Sequence, residues 1–252
     1  MIGDVVGKGG RKTLRKLLPA IIKENQINFV IAQGENSAGG FGITRKTSKD
    51  FFDSGVDVIT SGNHIWDKPD IFEDLDALNS KILRPNNYPK EKPGSGIYFN
   101  NQVAVINLMG SVWMEKIASP FDSINNILND LPNIPIFIDF HAEATSEKAA
   151  LAWHLDGRIS GLVGTHTHVA TCDHKILPQG TAFVSDLGMV GAKNSVLGFD
   201  KDASLSRFFN GERKRMLPIE SGEMIFNSVL IEINNSTKKT SSISRIDKNT
   251  II

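Results

Sequence analysis

Two histidines separated by one residue, His166-Thr167-His168, follow the apolar run Gly161-Leu162-Val163-Gly164. Leu162 and Val163 read as the end of a buried strand, and Gly164 is expected to break it so that both imidazoles converge at a sheet edge. Neutral imidazole is the commonest protein ligand for transition metals, so the pair is a metal candidate. Two neighbouring histidines also occur in ordinary polar loops, and the hypothesis therefore depends on the rest of the chain. Other apolar runs end in groups of the same chemistry: Met1-Ile2-Gly3 in Asp4, Phe29-Val30-Ile31-Ala32 in Glu35-Asn36, Val56 to Thr60 in Asn63-His64, and Ile136 to Phe140 in His141.

Singly, each of these has a plain reading as a turn or cap residue. Together, at the carboxyl ends of successive predicted strands, they fall where α/β sheets place their ligands. Oxygen and imidazole donors without thiolate suit iron, manganese, zinc or similar divalent ions, and the number of donors suits two of them. Glu35 can bridge the pair. Two divalent ions against the charges of Asp4 and Glu35 leave a net positive site, which wants a bridging hydroxide and a monoanionic phosphodiester. Metals about 3.5–4 Å apart would activate the hydroxide and clamp the phosphoryl oxygens for in-line displacement. His64, beside the proposed ligand Asn63, is placed to protonate the leaving oxygen.

The elements that position these groups follow from periodicity. Leu14, Leu17, Leu18, Ile21 and Ile22 recur at helical spacing after a glycine-rich loop, Gly7-Lys8-Gly9-Gly10, and Pro19 is expected to kink or restart that helix. Helices are also predicted around Phe51 and Phe52, over residues 69–78, over 122–131 and over 146–155, the last closed by Asp156-Gly157. Ile97 to Phe99 and Val103 to Leu108 flank Asn100-Asn101 as a hairpin. The tail returns to strands at 182–186, 225–233 and 241–246. Strand-helix alternation followed by hairpins predicts one α/β domain spanning residues 1–252, with two mixed sheets flanked by helices.

Composition bounds the rest. The 252 residues are 40% hydrophobic and 22% charged, with Lys plus Arg equal to Asp plus Glu at 28 each. That balance supplies no global field to hold nucleic acid or an anionic membrane, so an anionic ligand must be held locally. Cys172 is the single cysteine, which excludes an intrachain disulfide and a Cys-based zinc site and fits a cytoplasmic location. No apolar run approaches the roughly 18 residues needed to span a bilayer.

The ordered landmarks Gly3-Asp4-Val5-Val6-Gly7, Gly34-Glu35-Asn36, Gly62-Asn63-His64, Asp139-Phe140-His141-Ala142-Glu143-Ala144-Thr145-Ser146-Glu147-Lys148 and Gly164-Thr165-His166-Thr167-His168-Val169 cover almost the whole chain. Their pattern resembles the calcineurin-like metallophosphoesterases and, within them, the YmdB-like group of 2',3'-cyclic-nucleotide 2'-phosphodiesterases. The resemblance implies a four-layer metallophosphoesterase-type sandwich. It implies one metal on Asp4, Glu35, Asn36 and His168 and a second on Glu35, Asn63, His141 and His166, with His64 as proton donor. It favours iron, with manganese, zinc or magnesium as alternatives, and a small nucleotide substrate, a cyclic 2',3'-phosphate opened to the 3'-nucleotide. A homo-oligomer is expected. Where the broader superfamily has a histidine two residues after its first aspartate this chain has Val6, and Asn36 substitutes for it. Family members carry more apolar residues before the first Gly-Asp, so a shortened opening strand, from a truncated or misassigned start, is expected to loosen Asp4.

Rival readings are weaker. Amidohydrolases also bind metals through His-x-His, but there the pair ends the first barrel strand, whereas here it follows Asp4, Glu35 and Asn63. A non-catalytic RNA-associated or signalling module would retain the fold, and Lys8, Arg11, Lys12, Arg15 and Lys16 offer a basic face; with balanced net charge, stable nucleic-acid binding is not expected. Glu143, Glu147 and Lys148 read as a helix-start network that orients His141. Trp66 is near enough to His64 in sequence to shape a base pocket.

Overall fold

Strand and helix alternate through the first 165 residues except at one hairpin, as the hydrophobic pattern requires. A computed structural model describes residues 1–212 and 214–252. β1 (Asp4–Val5) leads into α1 (Gly7–Asn25), then β2 (Ile31–Gln33), α2 (Arg45–Asp53) and β3 (Val58–Thr60). A 3-10 helix at Asn63–Asp67 and the short α3 (Phe72–Asp76) precede the hairpin of β4 (Ile97–Phe99) and β5 (Ala104–Met109). Next come α4 (Pro120–Leu128), β6 (Ile136–His141), α5 (Thr145–His154) and β7 (Gly161–Thr165). The remainder is β8 (Lys175–Ile176), β9 (Ala182–Val184), β10 (Met189–Ala192), α6 (Lys201–Asn210), β11 (Glu223–Phe226), β12 (Val229–Ile233), β13 (Thr240–Arg245) and β14 (Lys248–Ile251).

A six-stranded sheet has the order β4-β5-β6-β7-β9-β8, and a four-stranded sheet the order β1-β10-β11-β14. β2 pairs with β3 in parallel, and β12 with β13 antiparallel. Ile2 joins these pieces, bridging Ala32 on one side and Ser228 on the other. Successive residues of a strand point to opposite faces, and here they enter different cores. Ala32, Ile59, Val5 and Val190 pack with Leu14, Leu18 and Ile21 of α1; Ile106, Phe140 and Leu162 pack with Ile124 of α4 and Leu151 of α5. Their neighbours Ile31, Val58 and Val105 meet one another between the strands of different sheets, as do Val163, Val184 and Val229. Burying each such aliphatic side chain stabilises the fold by about 1.5–3 kcal/mol.

The structure corrects several expectations. Gly7 to Gly10 form the first turns of α1 instead of a loop. Three of the four are glycines because the helix presses on its neighbours: a Cβ on Gly10 would lie 2.3 Å from the Val190 carbonyl oxygen. Pro19 neither breaks nor restarts α1; it lies on the exposed side with Arg15, where water can serve the carbonyl that proline leaves without a donor. Gly164 lies within β7 and does not end it, its missing Cβ admitting the Ser185 carbonyl at 1.8 Å from where that carbon would be. Residues 225–233 are two strands in different sheets, parted at Asn227-Ser228.

Asp4 is not loosened. β1 is short, but the Asp4 amide donates to Gly188 O at 3.0 Å and the Gly3 amide to Asn227 O at 3.1 Å. The Met1 amino group donates to Val229 O at 2.8 Å, and Asp4 is fully buried. Insertion beside β10 supplies what length does not.

Candidate metal centre

All the sequence-selected groups reach one edge. Asp4 is on β1, Glu35 and Asn36 follow β2, Asn63 and His64 open the 3-10 helix after β3, His141 ends β6, and His166 and His168 follow β7. The sharp turn after β3 is possible because position 62 is glycine: a Cβ there would stand 2.1 Å from His141 Cδ2 and 2.6 Å from Glu35 Oε2.

One cluster centres on Glu35, His141 and His166, whose ligating atoms lie within 4.8 Å of one another. His141 Nε2 is 2.9 Å from Glu35 Oε1 and 3.0 Å from His166 Nδ1. The other Glu35 oxygen accepts the His64 amide at 3.0 Å. On the far side of the ring, His141 Nδ1 meets Thr165 Oγ1 at 3.0 Å, and that hydroxyl donates to Asp139 Oδ1 at 2.7 Å. Nδ1 thus sits between the Thr165 oxygen and the Gln33 amide nitrogen, 3.1 Å away, which orients the ring so that Nε2 faces a carboxylate and a second imidazole. Such a face needs a proton or a cation. Burial alone would depress His141, but the charge and hydrogen bond of Glu35 override it and raise the imidazole to about 9. Burial pushes Glu35 upward, and His141 reverses this, holding the carboxyl at about 2. Burial and the adjacent charge on His141 bring His166 down to about 3, so its ring is neutral and able to donate a lone pair.

A second cluster adjoins the first. His168 Nε2 is 3.2 Å from Asn36 Oδ1 and 3.7 Å from Asp4 Oδ1. The ring's Nδ1 donates to Leu197 O at 2.9 Å, which leaves Nε2 as the free lone pair. The Asn36 amide nitrogen donates to Gly40 O at 3.1 Å, turning its oxygen inward. Asp4 Oδ2 accepts the His166 amide at 3.3 Å and ties the two clusters together. Among the described residues, Asp4 Oδ1 and Asn63 Oδ1 are buried without a hydrogen-bond partner. Burial pushes the Asp4 carboxyl above its ordinary range.

The segment carrying the two histidines is held under strain. His166 has φ +102° and His168 φ +64°, values that side chains with a Cβ adopt at a cost of order 1–3 kcal/mol. What imposes them is Asp186, which accepts the Thr167 amide at 3.1 Å and the Gly188 amide at 2.9 Å, and is itself paired with Lys148 Nζ at 2.8 Å. The expected helix-start network therefore divides. Lys148 secures the histidine loop through Asp186, Glu147 accepts from the Ser111 amide and hydroxyl, and Glu143 lies 3.2 Å from His166 Nε2. The sequence reading gave no role to Asp139, quoted only within a landmark, or to Asp186. The signals were present: a carboxylate inside the apolar run 136–140, and another just past the strand beginning at Ala182.

A cavity of about 270 Å³ opens over these groups and includes Glu35, Asn36, His64, His166 and His168 in its lining. His64 Nδ1 is 2.8 Å from Asp67 Oδ2, leaving Nε2 as the ring atom available to the cavity. Its ring meets Phe41 edge-on at 4.9 Å. Trp66 does not shape this cavity; it packs against Phe72 and Tyr88.

Oxygen and imidazole donors converge here, two buried oxygens lack partners, and both inward Nε2 atoms face acceptors; such residues fit cations. Fold and site together define a metal-dependent enzyme of mixed α/β architecture. The model of the YmdB-like protein family matches residues 1–246. The 2',3'-cyclic-nucleotide 2'-phosphodiesterase of Bacillus subtilis (strain 168) is 42% identical over 255 residues, covering 97% of this chain and 94% of that protein. A crystal structure of a hypothetical protein from Thermus thermophilus superposes with a TM-score of 0.92 at 33% identity, covering 98% of this chain and 97% of that one. A crystal structure of a novel phosphatase from Mycoplasma pneumoniae gives 0.92 at 30% identity, covering 98% and 92%. The chain belongs to the YmdB-like family and is a hydrolase. No helix among the described residues is long and apolar enough to cross a membrane.

Proposed function

We propose that this protein hydrolyses 2',3'-cyclic nucleotides to 3'-nucleotides at a two-metal centre. The observation that carries the proposal is the pair of buried, unpartnered oxygens, Asp4 Oδ1 and Asn63 Oδ1, one in each half of the site. Asp4, Glu35, Asn36 and His168 would hold one ion, and Glu35, Asn63, His141 and His166 the other, with iron favoured and manganese, zinc or magnesium as alternatives. When bound, the ions supply Lewis acidity and lower the pKa of a coordinated water.

The side chains supply the rest. Asp139 through Thr165, together with Gln33, orients the His141 ring, and the Leu197 carbonyl fixes the tautomer of His168. Hydrolysis adds water to phosphorus and breaks the bond to the 2' oxygen, which must leave with a proton. His64 is the donor: Asp67 holds its Nδ1 proton, so Nε2–H is the one directed at the cavity. The packing of alternate strand residues into distinct cores supports reading the strands as two sheets in a four-layer sandwich, with the chain as one domain. An exposed lone thiol, Cys172, fits a cytoplasmic setting, and the homo-oligomeric state belongs to the same family reading.

The test is metal analysis of the purified protein alongside chromatographic identification of products from 2',3'-cyclic AMP. Stoichiometric metal and 3'-AMP are expected. Metal-poor protein with no turnover after loading with iron or manganese would overturn the proposal.

A further inference from the structure

The cavity above the centre is lined well beyond the metal candidates. α6 contributes Ser204, Arg207 and Phe208, residues spaced i, i+3 and i+4 and thus on one helix face. Opposing contributions come from Phe41 and Phe199, stacked at 5.6 Å with planes 26° apart. Phe199 is almost fully buried, whereas Phe208 is 82% exposed, an aromatic ring left in water beside the site. The Ser204 hydroxyl is already donated to Asp200 O at 2.7 Å, so Arg207 is the polar group that α6 offers a ligand.

We propose that this cavity is a nucleobase subsite that takes the base by stacking, with Phe208 as its outer wall, and that it does not discriminate among bases. The inference rests on the phosphodiesterase reading and adds where the base sits and how it is held. Every base has a π-face, and an aromatic wall or a guanidinium plane such as that of Arg207 stacks on any of them, so holding the base this way is sequence-tolerant. A ligand whose phosphate lies at the metal candidates has its sugar-linked base within the same cavity, which runs continuously from His166 and His168 to Phe208. Phe41 touches His64 and is therefore entangled with the chemistry; Phe208 is not, which makes it the position to test.

KM and kcat are to be measured for the four common 2',3'-cyclic nucleotides and for a base-free ribose 2',3'-cyclic phosphate, in the wild type, Phe208→Ala and Phe208→Trp. The expected pattern is similar KM across the four bases and a higher KM for the base-free compound. Phe208→Ala is expected to raise KM for every nucleotide by about 5- to 150-fold, the span of one base–aromatic stack, leaving kcat and the base-free KM unchanged, with recovery in Phe208→Trp. Wild-type KM in Phe208→Ala, or strong preference for one base, overturns the subsite. Should the wild type turn over none of these compounds, the activity fails separately, and calorimetric binding of 3'-AMP to the same proteins decides the subsite: loss in Phe208→Ala upholds it, equal binding overturns it.

Discussion

Lys148 Nζ lies 2.8 Å from Asp186 Oδ2, and both side chains are sealed from solvent. The carboxylate also holds Thr167 and Gly188, so this ion pair stands behind the strained loop that presents His166 and His168. Removing one partner of a buried pair strands a charge and costs about 3–5 kcal/mol, whereas removing both is far milder. Lys148→Met is expected to lower the urea midpoint of unfolding sharply, and Lys148→Met with Asp186→Asn to recover most of it. Equal destabilisation of single and double variants would mean that the pair does not act as a unit.

His64→Ala is expected to keep its metal while losing turnover by about 10²–10⁴-fold, the usual worth of a general acid. Asp67→Asn keeps the acid but weakens its orientation, so its loss is smaller. Parallel metal analysis and product chromatography separate the roles; full activity in His64→Ala removes the histidine from proton transfer.

Gly62→Ala would put a methyl carbon 2.1 Å from the His141 ring. Gly62 has φ −146° and ψ −140°, outside the regions open to a residue with a Cβ, so alanine meets a backbone penalty as well as the collision. Metal content is expected to fall severely while far-ultraviolet circular dichroism stays native; undiminished metal binding would show that the His141 ring has room to move.

In the metal-free protein, His141 is lifted from 6.5 to about 9. A raised imidazole stabilises the folded state fully below its unfolded value and loses that contribution as pH climbs through the folded one. Thermal stability of chelated protein is therefore expected to fall between about pH 6.5 and 9.5, by about 3 kcal/mol from 1.36 kcal/mol per pKa unit. His141→Gln should flatten that limb. An unchanged slope in the variant would assign it to other groups.

The centre was legible because each donor follows an apolar run and a turn, a local pattern that survives in one sequence. The strands themselves needed no tertiary knowledge, although only the end at Thr60 fell where expected and the others ran on to Gln33, His141 and Thr165. Glycine misled wherever it serves close approach: Gly10 and Gly164 lie inside a helix and a strand because a neighbouring carbonyl occupies the space of a Cβ, information carried by residues far away in the chain. β10 and α6 went unread for a related reason. Met189 to Ala192 is too short and glycine-interrupted to show a period, and α6 exposes Leu205, Phe208 and Phe209, which blurs its amphipathic pattern. Asp186 became visible as the anchor of the histidine loop only once β9 was placed beside β7.

The seating of Asp4 has a temporal side. Its amide is held by Gly188, and that of Gly3 by Asn227, so Asp4 is synthesised well before the partners that seat it. The donors Glu35, Asn63, His141 and His166 are all synthesised earlier than Gly188. Domains fold as units during N-to-C synthesis, and long-range strand insertion is the slow part of such folding. Seating Asp4 among the other candidate donors thus waits for β1 to pair with β10.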